Sequence, residues 1–469
     1  METGLAIALA AGLAWAPFWL GGNRLPPWSV NGVFFPSLML IYEGYLLSTG
    51  RRHPIAIGRV GVSVALFGAA LCWAIIQSSP ALAPSLAHPI WAMTSDALGR
   101  AVAGTISVNP GLGMISTLRL VTIGSVFWLS LQIGRNEERA QGLLNAIASI
   151  VAAYSAYGIV LSAFFGGAIP FFGVSDGGFS VRSTFVNRNN FATYAGLGLI
   201  VTCGLFLNSL GRSARDLTEV WTYRLTRLIE ATGRDAWRIL GGGLLSLVAL
   251  LGSGSRGGVI STLLAFIAFP ILAAARSRRR RNAPIEAIIL MTFVLVAGFF
   301  FYGDLVVGRI SSGGIFDTNR LSVYSMVVRS IFDNPILGLG YGAFVDAFPM
   351  YRDRSISAFE VWDKAHQTYL ETWQGLGLIF GSACIGATAL LVGKCFAGAI
   401  GRRRNETPAL VAACASLLVW SHALVDFSIQ IDAIALTYSA ILGIGVAQSE
   451  SSRHTIANRT TRSFDDDRR

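Results

Sequence analysis

Charge is scarce in this sequence. Of 469 residues only 13% are Asp, Glu, Lys or Arg, and mean hydropathy is +0.56, whereas a soluble domain carries about 25% charged residues. That balance excludes a water-soluble globular domain. Histidine is rarer still, at five residues, and so is cysteine. Cys72, Cys203, Cys384, Cys395 and Cys414 fall within or at the ends of apolar runs without CxxC spacing, so neither a disulfide framework nor a thiolate metal site is indicated. There is no HExxH, no paired His/Cys spacing and no GxSxG, and the one DxD-like run is Asp465-Asp466-Asp467 in a polar stretch near the C-terminus. No metal site is expected, and a metal-dependent sugar-nucleotide enzyme is disfavoured. The first apolar run lacks a basic n-region and a small-residue cleavage site, so it reads as a retained helix rather than a signal peptide.

What the chain has is apolar length. Runs of about 17–25 residues, each enough to cross a bilayer core of roughly 30 Å as a helix, recur along it. About twelve are expected: 3–21, 29–48, 60–78, 117–134, 142–166, 190–210, 239–252, 257–275, 284–303, 372–398, 408–426 and 433–448. The expected fold class is all-α and polytopic. Residues 1–303 hold the first nine spans, 304–371 form a long outward loop with a partly helical region, 372–448 hold the last three spans, and 449–469 form a polar tail.

The few charges that exist are not placed at random. With the N-terminus inside, "RRHPIAIGR", "RNEER", the arginine-spaced segment 212–238, "RSRRRR", "GRRR" and the tail all fall on one side and hold most of the 37 lysines and arginines, as the positive-inside rule requires. The formal net charge of +11 is therefore a topogenic signal and a contact with anionic headgroups, not a nucleic-acid footprint. Segment 212–238 has apolar residues near helical spacing and is expected at the inner interface.

The polar residues left over share the other side. Arg182 and Arg188 flank "STFVN" before the sixth span, and Asn187 and Asn189 supply amides able to hold phosphate or sugar hydroxyls. Arg256 lies in "GSGSRGG", a turn into a helix N-terminus where backbone N–H groups and the helix dipole favour an anion. Arg320 opens an amphipathic stretch ended by "DNP". Guanidinium stays charged and grips phosphate oxygens bidentately, so four outward arginines suit a polyanion; the bland reading of each is a snorkelling or topological charge. "GLGYG" at 338–342 follows no strand and reads as a close-packed turn, not a nucleotide loop. On a helix His366, Tyr369 and Trp373 would share one face at the mouth of the tenth span, and a histidine there can take a proton from a hydroxyl or simply hydrogen-bond a loop. His422 and Asp426, i and i+4, read as a second polar pair of packing type.

The order "RSTFVNRNNFATY", "SGSRGG", an arginine ahead of "NPILGLGYGAF", then "AHQTYLETWQGLGLIFG" and "SHALVDF" resembles the O-antigen ligase/polymerase-type membrane glycosyltransferases over roughly residues 60–448. The resemblance implies a metal-independent, GT-C-like enzyme of the bacterial inner membrane, without cofactor, with both termini cytoplasmic and the site periplasmic. Its implied donor is a glycan on undecaprenyl diphosphate, and its implied acceptor is lipid A-core or a growing polysaccharide. The family's loop histidine falls on His366. Its phosphate-binding arginines fall on Arg182, Arg256 and Arg320, with Arg188 an addition, and Asn187, Asn189, Tyr369 and Asp426 are acceptor or supporting residues. The chain departs from the family pattern at His366-Gln367, often His-Asn, at Asn187-Arg188-Asn189, often Asn-Pro-Asn, and at Gln374-Gly375, often a Glu-Gly-type pair.

Three functions stand open: a ligase, a polymerase with the same donor chemistry, and a non-catalytic lipid-glycan transporter. Transporters place ionisable residues near the midplane of repeated halves; here the arginines sit at one interface and no repeat is visible. Ligase is the expected function.

Overall fold

A computed structural model describes residues 1–169, 172, 180–213, 233–277, 318–357, 359, 361–402 and 406–450. Among the described residues the architecture is all-helical: α1 Glu2–Trp15, α2 Leu25–Thr49, α3 Gly61–Ser78, α4 Ile90–Leu98, α5 Pro110–Ile133, α6 Glu137–Phe164, α7 Arg188–Ser213, α8 Gly233–Gly252, α9 Arg256–Ser277, α10 Thr318–Asp333, α11 Thr368–Gly401, α12 Thr407–His422 and α13 Asp432–Ser449. Six of them, α2, α3, α5, α6, α7 and α11, are long and apolar enough to cross a membrane, while α1, α8, α9 and α12 are shorter apolar helices. Every expected run but the ninth coincides with a helix; 284–303 lies outside the described residues. So do 214–232 of the arginine-spaced segment, 278–281 of "RSRRRR", and the tail from 451.

Three boundaries differ from expectation for local reasons. The first run, taken as 3–21, stops being helical at Trp15: Pro17 follows, and Leu20, Gly21 and Gly22 take φ values of 54°, 71° and 75° that turn the chain. The eleventh, taken to 426, ends at His422, so Asp426 lies past the helix in a turn where its N–H still reaches the His422 carbonyl at 2.9 Å. The short helix α4 was not anticipated; it lies in the loop between α3 and α5.

Two helices form the centre. In α7, 94% of the apolar window is buried, against 28–39% in the other five long helices; in α13 every residue from Asp432 to Gln448 is buried. Both are rich in Ala, Gly, Ser and Thr, the small residues that let helix backbones approach closely where no hydrophobic gradient drives packing. Their N-termini, those of α9 and α11, and the C-terminus of α12 meet at one end of the bundle: Asn189 reaches Asp426, and Thr368 N–H donates to Ala423 O at 2.9 Å. At the opposite end Lys394 pairs with Glu450 at 2.9 Å, and Arg135 and Arg402 donate to the Glu450 carbonyl.

Helix α11 is broken inside its apolar length. Gly377 has φ 76° and ψ 168°, and the backbone groups freed there are taken up by "NPILGLGYG". Leu378 N–H donates to Pro335 O at 2.7 Å, Leu339 and Gly340 N–H donate to the Gln374 and Gly375 carbonyls, and buried Gln77 donates to Leu337 O and Gly375 O. Irregular backbone among apolar spans survives only when protein satisfies it. The glycine run is thus the close-packed turn that the sequence indicated. A Cβ on Gly377 would come to 2.2 Å from Ile336 O. Gly377→Ala is therefore expected to cost about 2 kcal/mol or more, from overpacking and a strained φ together, lowering the thermal midpoint of purified protein in detergent. An unchanged midpoint would show that the break is not structurally required.

Candidate functional site

The site is built where loops and helix ends converge at the α7/α13 end. Asn187 precedes α7, and its Oδ1 accepts from Asn189 N–H at 2.8 Å, an Asn cap that fixes where the helix starts. The cap aims Asn189 outward, and its Nδ2 donates to Asp426 Oδ2 at 2.9 Å. Asp426 is 1% exposed; its Oδ1 accepts from Phe427 N–H at 2.7 Å, and Arg320 NH1 lies 3.8 Å from Oδ2. The same Arg320 nitrogen donates to Val425 O at 2.7 Å. An amphipathic helix from the long loop is thereby pinned onto the turn after α12.

Beneath this lies a buried polar network. His422 Nδ1 stands 2.9 Å from both Thr193 Oγ1 and Ser428 Oγ, and Ser428 donates to Asn190 Oδ1 at 2.9 Å. Gly257, beside Arg256 in the first turn of α9, packs so closely on the His422 ring that a Cβ would come to 3.1 Å from its Nε2. Ser255 caps α9 by accepting from Gly258 N–H. The N-terminus of α9, with Arg256 as its first residue, therefore abuts the network. His422 is buried within this network.

His366 is not on a helix. α11 begins at Thr368, capped by Gln367, and His366 has φ 52°. The expected shared face with Tyr369 and Trp373 does not form: Tyr369 donates to Trp420 O at 3.0 Å and Trp373 to Ser382. Instead the imidazole stands edge-on between Trp362 and Phe427, with ring centroids 5.5 Å and 4.8 Å away. Its Nδ1 is buried and makes no hydrogen bond among the described residues. A protonated ring would carry an N–H there with nothing to accept it. Burial accordingly pushes the His366 pKa below its ordinary value; Asp426 pulls upward and Arg320 adds to the lowering. The neutral, proton-accepting form is the one favoured near pH 7.

The remaining arginines divide. Arg182 is 3% exposed, and its Nε and NH2 both donate to Gly167 O. Its segment lies against the turn before α9, since Val181 N–H donates to Gly252 O at 2.9 Å. Arg188 is the first residue of α7. The structure brings together Asn187, Asn189, Arg320, Asp426 and, through Phe427, His366; it sets Arg256 and Arg182 on the adjoining segments, and Tyr369 away, on α11 with its hydroxyl on Trp420 of α12. Sequence reasoning missed Trp362 and Phe427 as walls of the histidine, and Thr193, Asn190 and Ser428 as the network below. A polar residue every few positions in "VNRNNFAT" and "HALVDFS" was the available signal. No group of three or more His, Cys, Asp or Glu able to hold a metal occurs among the described residues.

Residues 241–386 match the family model described as O-Antigen ligase. The resemblance to the O-antigen ligase/polymerase family is shown over that segment. No curated protein matches the chain. The matched segment holds Arg256, Arg320, His366 and the break in α11. Arg182, Asn187, Asn189 and Asp426 lie outside it, and the folded chain brings Asn189 and Arg320 onto the same oxygen of Asp426. The match over that segment, with the apolar helices, supports a membrane protein similar to the O-antigen ligase/polymerase type.

Proposed function

We propose that this chain is an O-antigen ligase, transferring a glycan from undecaprenyl diphosphate to an acceptor sugar hydroxyl of lipid A-core at the periplasmic face of a bacterial inner membrane, without metal or cofactor. The observation that carries this reading is the convergence at Asp426. Arg320 reaches a carbonyl 105 residues away, Asn189 reaches the same carboxylate across 237 residues, and the imidazole of His366 lies against the next side chain, Phe427. A cation, amides and a neutral imidazole meet where apolar helices end, which is the chemistry that a lipid-borne diphosphate and a sugar hydroxyl require.

In the proposed step the acceptor oxygen bonds to the anomeric carbon as the bond from that carbon to the diphosphate oxygen breaks. His366 takes the hydroxyl proton, and the electron pair leaves on the diphosphate. Arg320, with Arg256, Arg182 and Arg188 from the adjoining segments, stabilises the charge developing there; preorganised donors in a water-poor site do this without metal. Asn187, Asn189 and Asp426 position these groups, and the spans hold the polyprenyl tail. A polymerase would use the same donor chemistry. Deleting the gene and analysing surface polysaccharide separates them: lipid A-core without O-chain is the expected result, caps of a single repeat would make the chain a polymerase, and unchanged glycan would overturn both.

A further inference from the structure

Among the described residues His366 is one of three non-glycine residues with positive φ, at 52°. A residue with a Cβ stays in the left-handed region only where its surroundings over-determine it. The peptide groups around it show how that is done. Glu371, one turn into α11 and 9% exposed, turns its side chain back past the helix start, and its Oε2 accepts from Ala365 N–H at 2.8 Å. Lys364 holds the other oxygen, Oε1, at 3.4 Å. On the far side of His366, Tyr324 of α10 donates its hydroxyl to the His366 carbonyl at 2.9 Å. Two residues on, Thr368 N–H is fixed to Ala423 O. The backbone is thus gripped on both sides of the one torsion that sets where the imidazole points, and Ala365 next to it is wholly buried.

We propose that Glu371 and Tyr324 are positioning residues: together they hold His366 in its left-handed conformation and so keep the imidazole upright between Trp362 and Phe427. Glu371 is thereby removed as a rival proton acceptor, since both its oxygens are engaged within the loop. Without the grip, His366 relaxes to negative φ, and its ring swings out of the aromatic slot. This rests on the reading above that His366 acts on the acceptor hydroxyl.

The test uses the purified full chain with lipid-linked glycan extracted from its host's membranes. Glu371→Ala is expected to lower kcat about 10- to 100-fold, the scale of a displaced catalytic group, with KM for the lipid-linked donor within about threefold. Glu371→Gln keeps an oxygen for the Ala365 N–H and is expected to recover most of that loss. In a His366→Ala background, Glu371→Ala should cost nothing further, because the clamp acts only through the imidazole; a merely structural role would subtract from both backgrounds alike. Tyr324→Phe, which removes a single hydroxyl, should lower kcat in the same non-additive way, and it decides the matter if Glu371→Ala fails to insert. Wild-type kcat in Glu371→Ala and Tyr324→Phe, equal losses for Gln and Ala, or additive losses with His366→Ala would each overturn the clamp. Wild-type turnover in His366→Ala alone would instead overturn the role of the histidine.

Discussion

His366→Ala should insert and fold as the wild type does and lose about 10²- to 10⁴-fold in turnover, the range of a general base. The residue packs on two aromatic edges and donates no side-chain hydrogen bond that the fold needs: the Tyr324 hydroxyl binds its backbone carbonyl, which alanine retains. Binding of undecaprenyl diphosphate should survive, since the proposed mechanism assigns it to the arginines. The pH dependence fixes the assignment. A base works deprotonated, so turnover should be present above the histidine's folded-state pKa and fall as pH drops through it. Burial lowers that pKa, so the acid limb is expected below the ordinary value of about 6.5 and should vanish in the variant. Asp426 opposes the lowering; Asp426→Asn should therefore move the limb further toward acid. Wild-type turnover in His366→Ala would make the residue structural.

Arg320→Ala is expected to weaken binding of undecaprenyl diphosphate about 10- to 100-fold, the worth of one charge-assisted hydrogen bond at about 1.5–3 kcal/mol. Part of any effect would come from Asp426, which is 1% exposed and, among the described residues, would keep Asn189 and the Phe427 amide as side-chain partners. A buried charge stripped of its cation destabilises the fold. The double variant Arg320→Ala/Asp426→Asn separates the two: it should regain the thermal midpoint but not the binding. Arg320→Lys should recover binding only in part, because an ammonium keeps the charge but loses the planar fork that reaches the Val425 carbonyl and an anion together. Wild-type binding by Arg320→Ala, measured with labelled undecaprenyl diphosphate, would leave Arg320 as a pin between α10 and the turn after α12.

Several site elements were legible in the sequence because their signals are local. "DNP" after Ile331-Phe332 is a stop signal, and the helix ends there at Asp333. The i, i+4 spacing of His422 and Asp426 was read as one polar unit; the chain instead leaves the helix between them, and they serve two neighbouring networks. His366 was placed on a helix because its neighbours Tyr369 and Trp373 fit a helical period, and periodicity cannot register one residue of positive φ.

By itself the sequence determined that the described residues are helical and apolar, and where most of their helices begin and end. Those properties follow from composition and period, which act within a few residues. Only the tertiary structure decided that α7 and α13 are central, that α11 breaks against the glycine turn, and that Arg320, Asn189 and Asp426 meet. Each depends on contacts between segments far apart in the chain, such as the 401 residues between Asn31 and Asp432. The buried partner of a polar group is chosen by how helices pack, since an unsatisfied donor or acceptor among apolar spans costs more than any local preference can return.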